Sequence, residues 1–169
     1  MMKLTRRDLL ASAALSGSVL GTAGCLSLPT GERGPHVNFS GNVSTDEPLV
    51  EDAELSTDAA YPNHYSALID TDDAAETIRW EYVREEIPLL INTLEETDYG
   101  SEYLAFFGMA LPGTKQLQPG DTSRDDGTVR FAYRVDRSGS AAWEVEVNTH
   151  IRRVESDDAP DDPAFEVQF

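Results

Sequence analysis

One cysteine, three histidines and a wealth of carboxylates are the groups in this 169-residue chain with the widest chemical reach. Their spacing decides what each can do. His36, His64 and His150 lie far apart, with no H-x-H pair, so a two-histidine, one-carboxylate metal centre is not expected. His64 and His150 fall in candidate strands and read as partly exposed strand residues. Ser101 and Ser140 lack the G-x-S-x-G turn that exposes a nucleophilic serine, and read as turn residues. Asp121–Gly127 has the composition of a calcium loop but not its spacing. The sixth position is Asp126 rather than glycine, and the twelfth is Ala132 rather than glutamate. Asp157, Asp158, Asp161 and Asp162 read as a solvated linker before a last strand. Glu81, Glu85 and Glu86, with Arg84, fall on a helix surface, and Trp80, Tyr99, Tyr103 and Trp143 read as core. The expectation is a protein that is not an enzyme, with no catalytic residue, no metal and no cofactor.

Cys25 is different, because its surroundings supply a chemistry. Residues 1–24 have the layout of a signal peptide: Lys3, Arg6 and Arg7, then the apolar stretch Leu9–Leu20, then small residues. That stretch is shorter than the ~20 residues of a transmembrane helix. Thr5-Arg6-Arg7-Asp8-Leu9-Leu10 resembles the twin-arginine (Tat) export motif, with Arg6 and Arg7 as its paired arginines. Thr22-Ala23-Gly24-Cys25 resembles a lipobox, although threonine stands where leucine is commonest. Cleavage before Cys25 would leave its thiol for a diacylglyceryl group, which suits stable anchoring better than one acyl chain. The expected address is the extracellular face of the cell membrane, lipid-anchored at Cys25. With the only cysteine used in this way, the domain must fold without a disulfide.

Charge sets the solvent. The chain carries 13 basic and 31 acidic residues. Three of the former (Lys3, Arg6, Arg7) and one of the latter (Asp8) precede Cys25, which leaves ten against 30, a net −20. Lys115 is the one lysine among those ten. Carboxylates spread along the whole chain, rather than gathered in a tail, fit multimolar salt, where repulsion is screened within ~3 Å at 1 M. Scarce lysine fits the same solvent, which strengthens association of long apolar stems. The reading is an extreme halophile's acidic protein. A nucleic-acid partner is not expected, since no basic patch is present to neutralise phosphates.

Residues 25–60, with Pro29, Gly31, Gly34, Pro35, Gly41 and Pro48 and then an acidic stretch, read as a flexible tether. His36–Phe39 alternates within it and suggests an edge strand. Asn38-Phe39-Ser40 and Asn42-Val43-Ser44 are sequons, making Asn38 and Asn42 candidate N-glycosylation sites on that stalk. A globular domain is expected over 61–169: a strand at His64–Asp70, a helix opened by a capping box at Asp73–Glu76 and running to Glu85, and a second helix at Ile87–Glu95 with Pro88 in its first turn. Tyr103–Leu111, apolar almost throughout, predicts a central strand buried on both faces. Gln116–Thr122 suggests a strand interrupted at Pro119-Gly120. Asp126-Gly127 predicts a tight hairpin turn. Val129, Phe131, Tyr133 and Val135 then share one face, with Arg130, Arg134 and Asp136 on the other, and Trp143, Val145, Val147 and Ile151 repeat the period. The reading pairs Phe131 and Tyr133 with Trp143 and Val145 as one buried face, and lets Ala164–Phe169 close the sheet. The fold class is α+β, a mostly antiparallel sheet or sandwich with one or two short helices.

The order Thr97-Asp98-Tyr99, apolar strand, Pro-Gly loop, Asp-Gly hairpin and a strand ending Thr149-His150-Ile151 resembles a group of small uncharacterised haloarchaeal lipoproteins exported by the twin-arginine route. More remotely, Asp98–Val154 is similar to the C-terminal domain of a protease-complex subunit family, with Pro112-Gly113-Thr114-Lys115 where that family has a Thr-Gly-Gly loop. Neither group brings an activity with it. The leading expectation is a non-enzymatic surface module that binds an envelope protein or polymer. The alternatives are a small ligand-binding lipoprotein associated with a transporter, whose two lobes ~110 residues would not supply, and a hydrolase.

Overall fold

The computed structural model describes residues 34–53, 55, 63–137, 145–156 and 159–169. Among the described residues, seven strands and three short helices make an α+β architecture dominated by antiparallel sheet, as the patterns predict. The first sheet has the order β1-β6-β3-β2, with β1 at His36–Thr45, β2 at His64–Ile69, β3 at Glu102–Pro112 and β6 at Val145–Glu155. All its pairs are antiparallel. The second has the order β4-β5-β7, with β4 at Lys115–Asp125, β5 at Thr128–Arg137 and β7 at Ala164–Gln168. Here β7 runs parallel to β5, Phe131 opposite Phe165.

The first sheet is the middle layer. Leu104, Phe106, Val147 and Ile151 face the side of the helices α1 (Asp72–Ala75), α2 (Trp80–Glu86) and α3 (Ile91–Glu95). Tyr103, Ala105, Phe107, Met109 and Leu111 face the second sheet, meeting Leu117, Val129, Phe131 and Tyr133. Tyr103–Met109 is therefore buried without a break, which is why that strand reads as a continuous apolar run.

Three expectations need correction. The first is the tether. β1 lies inside residues 25–60, pairs with β6 from His36↔Glu155 to Thr45↔Val147, and leads to Leu49 and Val50, both in the helix-side core. Just before it, the backbone of Gly34 lies so close to Thr122 and Ser123 of β4 that a Cβ there would collide with them. The alternation at His36–Phe39 marks only its start; the continuation to Thr45 is masked because Ser40, Asn42 and Ser44 are exposed along one of its faces, as suits an edge strand.

The second is the helix from Asp73 to Glu85, which is broken. Thr71, rather than Asp73, caps α1, its hydroxyl accepting from Ala74 N at 3.1 Å. Glu51 N then donates to Thr77 O (2.7 Å) and Arg79 N to Leu49 O (2.9 Å). The segment before β2 thus takes the backbone bonds a continuous helix would need. Likewise Pro88 lies in the turn ahead of α3 rather than inside it.

The third concerns the hairpin. The turn forms, with φ +47° at Asp126 and +83° at Gly127, but it joins β5 to β4, not to β6. β6 belongs to the other sheet, and Val145 is 63% exposed; Trp143 lies outside the described residues. Phe131 and Tyr133 are buried, yet against Phe107 and Phe165. β4 spans all of Lys115–Asp125, and its register shifts between Pro119 and Thr122, where Pro119-Gly120 suggested an interruption.

Candidate functional site

Polar side chains gather in three places. The first lies between the sheets. Residues 148, 150 and 152 of β6 share one face by strand alternation, and that face meets the second sheet. Arg152 is buried, with Nη2 donating to the carbonyls of Gly120 (2.9 Å) and Ala132 (3.1 Å) and Nη1 to Thr122 Oγ1. Its guanidinium lies 5.0 Å from the Tyr133 ring centroid and 5.5 Å from that of Phe131. Arg152 therefore holds the β4 irregularity against β5. Burial lowers its affinity for a proton.

His150 is 1% exposed, which corrects the expectation of a partly exposed strand residue. Its Nε2 meets Ser40 Oγ at 3.1 Å, and its ring sits edge-on to Tyr133 at 5.5 Å. Burial first, and the Arg152 charge second, push its pKa down to about 3, so the ring is neutral. Burial also pushes the Tyr133 phenol well above its ordinary value. A base that cannot be protonated near neutral pH and a phenol that cannot ionise suit structure rather than proton transfer.

On the helix side, Tyr65 and Thr149 share a 2.8 Å hydrogen bond, and Leu49 N donates to the phenol at 3.4 Å. Burial raises the Tyr65 pKa to about 12.

The third place is a surface groove beside α2. A hollow of about 520 Å³ is walled by Glu51, Glu76, Trp80, Glu81, Tyr82 and Glu85. It adjoins one of about 390 Å³ over Pro48, Val50, Asp52 and Ala53, with Glu51 and Arg79 common to both. Arg79 spans the junction: it pairs with Glu47 at 2.6 Å, donates to Pro48 O at 3.0 Å and lies 4.5 Å from the Tyr82 ring centroid. Trp80 is half-buried, with Nε1 donating to Ala75 O at 3.0 Å. A separate cleft of about 170 Å³ opens between β2 and β7 over His64, Ser66, Phe107, Phe165 and Val167.

The residues singled out in the sequence are dispersed. Arg6, Arg7, Cys25, Ser140, Asp157 and Asp158 lie outside the described residues. Ser101 is a turn serine, donating to Asp98 Oδ2 at 3.1 Å. Arg84 pairs with Glu95 at 2.8 Å across the α2–α3 surface. Asn38 and Asn42 both lie exposed on β1. Among the described residues, no group of three or more His, Cys, Asp or Glu is placed to hold a metal ion. Sequence reasoning missed Arg152 and the burial of His150. The available signal was the alternation Asn148, His150, Arg152 among the core residues Val147, Ile151 and Val154. No family model, curated protein or solved structure matches the chain.

Proposed function

We propose that this chain is a cell-surface lipoprotein of an extreme halophile, exported on Arg6 and Arg7, anchored through Cys25, and serving as a non-enzymatic module that binds an envelope protein or polymer. The observation that supports a binding role is the groove beside α2. It is open and shallow, and it combines one half-buried indole with carboxylates from three separate segments: Glu51; Glu76; and Glu81 with Glu85. A long hydrated partner can lie along such a surface without being enclosed. The interior polar groups, by contrast, bind the layers of the fold to one another. Anchorage rests on the leader and the placement of Cys25.

The test is purification from native membranes in high salt, comparing the parent with Cys25→Ser and with a Glu81→Ala, Glu85→Ala double variant. The serine variant should appear in the medium. The double variant should stay on the membrane and lose the co-purifying envelope component. Unchanged membrane retention of Cys25→Ser would refute the anchor, and an unchanged set of partners would refute the groove.

A further inference from the structure

The two sequons of β1 are alike in sequence and opposite in structure. In Asn38-Phe39-Ser40, Asn38 Nδ2 donates to Glu102 Oε1 at 2.8 Å and Asn38 Oδ1 meets His36 Nδ1 at 2.7 Å. The hydroxyl of the same sequon, Ser40 Oγ, bonds His150 Nε2 at 3.1 Å. Both recognition groups, although exposed, are thus engaged by side chains of the fold. In Asn42-Val43-Ser44 both are exposed, and neither side chain has a hydrogen bond or ion pair within the described residues.

The cause is the register shift between Val37 and Phe39. Asn38 has no partner in the β6 ladder and turns to the helix side, where Glu102 also meets Arg153, itself bonded to Thr93 O. An extra residue in one strand inverts the alternation beyond it. Ser40 consequently faces His150 and the second sheet, and Asn42 and Ser44 follow on that side at period two. Phe39 and Val43 point the other way, onto the helix-side core.

We propose that Asn42, and not Asn38, carries an N-linked glycan on the exported protein. In the transfer, the Asn42 amide nitrogen bonds to C1 of a lipid-linked sugar donor. The C1–O bond to the donor's phosphate breaks, the phosphate leaves with the bonding pair, and the amide gives up one proton. The acceptor amide must be unencumbered and the hydroxyl two residues on must be available to the transferase; only the second sequon meets both conditions. The Asn42–Ser44 stretch lies in an edge strand, held by its ladder bonds and by Val43 against the helix-side core, so local opening can present it. A glycan there would lie along the outer edge of β1 and block its pairing with another chain.

This inference rests on the export reading, and one experiment separates the two. The protein is recovered from the membranes of the cells that make it, and intact mass and peptide mapping identify the N-terminus and any glycan. The expected result is a chain beginning at Cys25 with a glycan on the Asn42 peptide and none on Asn38. Ser44→Ala should lose the glycan mass completely, and Ser40→Ala should retain it. A processed chain that is bare at Asn42, or glycosylated at Asn38, overturns the inference while leaving export intact. A chain that keeps Met1–Gly24 overturns export and the glycan together.

Discussion

The buried His150 makes a pH dependence that can be worked through. Its pKa is about 3 in the folded protein and about 6.5 in an unfolded chain. The unfolded state binds the proton more tightly, so the stability due to a neutral His150 is fully present above pH 6.5 and lost as pH falls towards 3. At ~1.4 kcal/mol per pH unit, the loss between pH 7.5 and 4.5 is about 3 kcal/mol, and it approaches about 5 kcal/mol by pH 3. His150→Phe keeps a ring against Tyr133 and removes the titrating group; it also leaves Ser40 without its partner, a cost of about 1 kcal/mol that does not vary with pH. Denaturant unfolding followed by circular dichroism in high salt, at pH 7.5 and 4.5, measures both proteins. The parent should lose about 3 kcal/mol more than the variant over that interval. All other groups are common to the two proteins, so their contributions cancel in the comparison. Equal losses in the two proteins would mean that His150 is protonated readily in the folded state, and the argument from burial would fail.

Two further predictions follow from the layers. A chain starting at Gly34 should fold cooperatively, whereas one starting at Tyr61 should not, because it lacks β1, Leu49 and Val50; a cooperative melt from the shorter chain would restore the tether reading. Phe131→Ala should cost about 3–5 kcal/mol, since that ring is fully buried against Phe165 and beneath Arg152. Arg130→Ala, which loses only a half-exposed 2.7 Å pair with Glu166, should cost under about 1 kcal/mol in the same unfolding assay, and similar losses for the two would contradict the core assignment.

What could be read from the sequence was whatever local pattern determines. Tyr103–Leu111 is apolar on both faces because layers cover both, and Asp126-Gly127 turns because both positions need positive φ. Pairing partners are a different matter. Alternation says that Val129–Val135 and Val145–Ile151 are strands, but not that they belong to separate sheets. The segment Gln116–Thr122 reads as a strand, but nothing local marks it as the partner of β5, because Leu117 is its one fully buried side chain. The helix break came from Leu49–Glu51, a remote segment inside the supposed tether. His150 reads as partly exposed, and Arg152 is passed over, for the same reason: the carbonyls of Gly120 and Ala132 and the hydroxyls of Ser40 and Thr122 that meet them lie 20 to 110 residues away. Asp-Gly and period two are local signals. A buried cation with carbonyl partners is not.

If Cys25 carries lipid, the packing of Gly34 against Thr122 sets the length of the leash. Gly34 lies nine positions after Cys25, against 35 from Cys25 to Ala60 in the tether reading. Fully extended, nine residues reach ~30 Å, compared with more than ~110 Å for 35. With lipid at Cys25, the domain would patrol a shell about one protein diameter deep over the bilayer. Confinement to so thin a volume raises the local concentration of every membrane neighbour it meets, so even a weak contact there would be occupied much of the time.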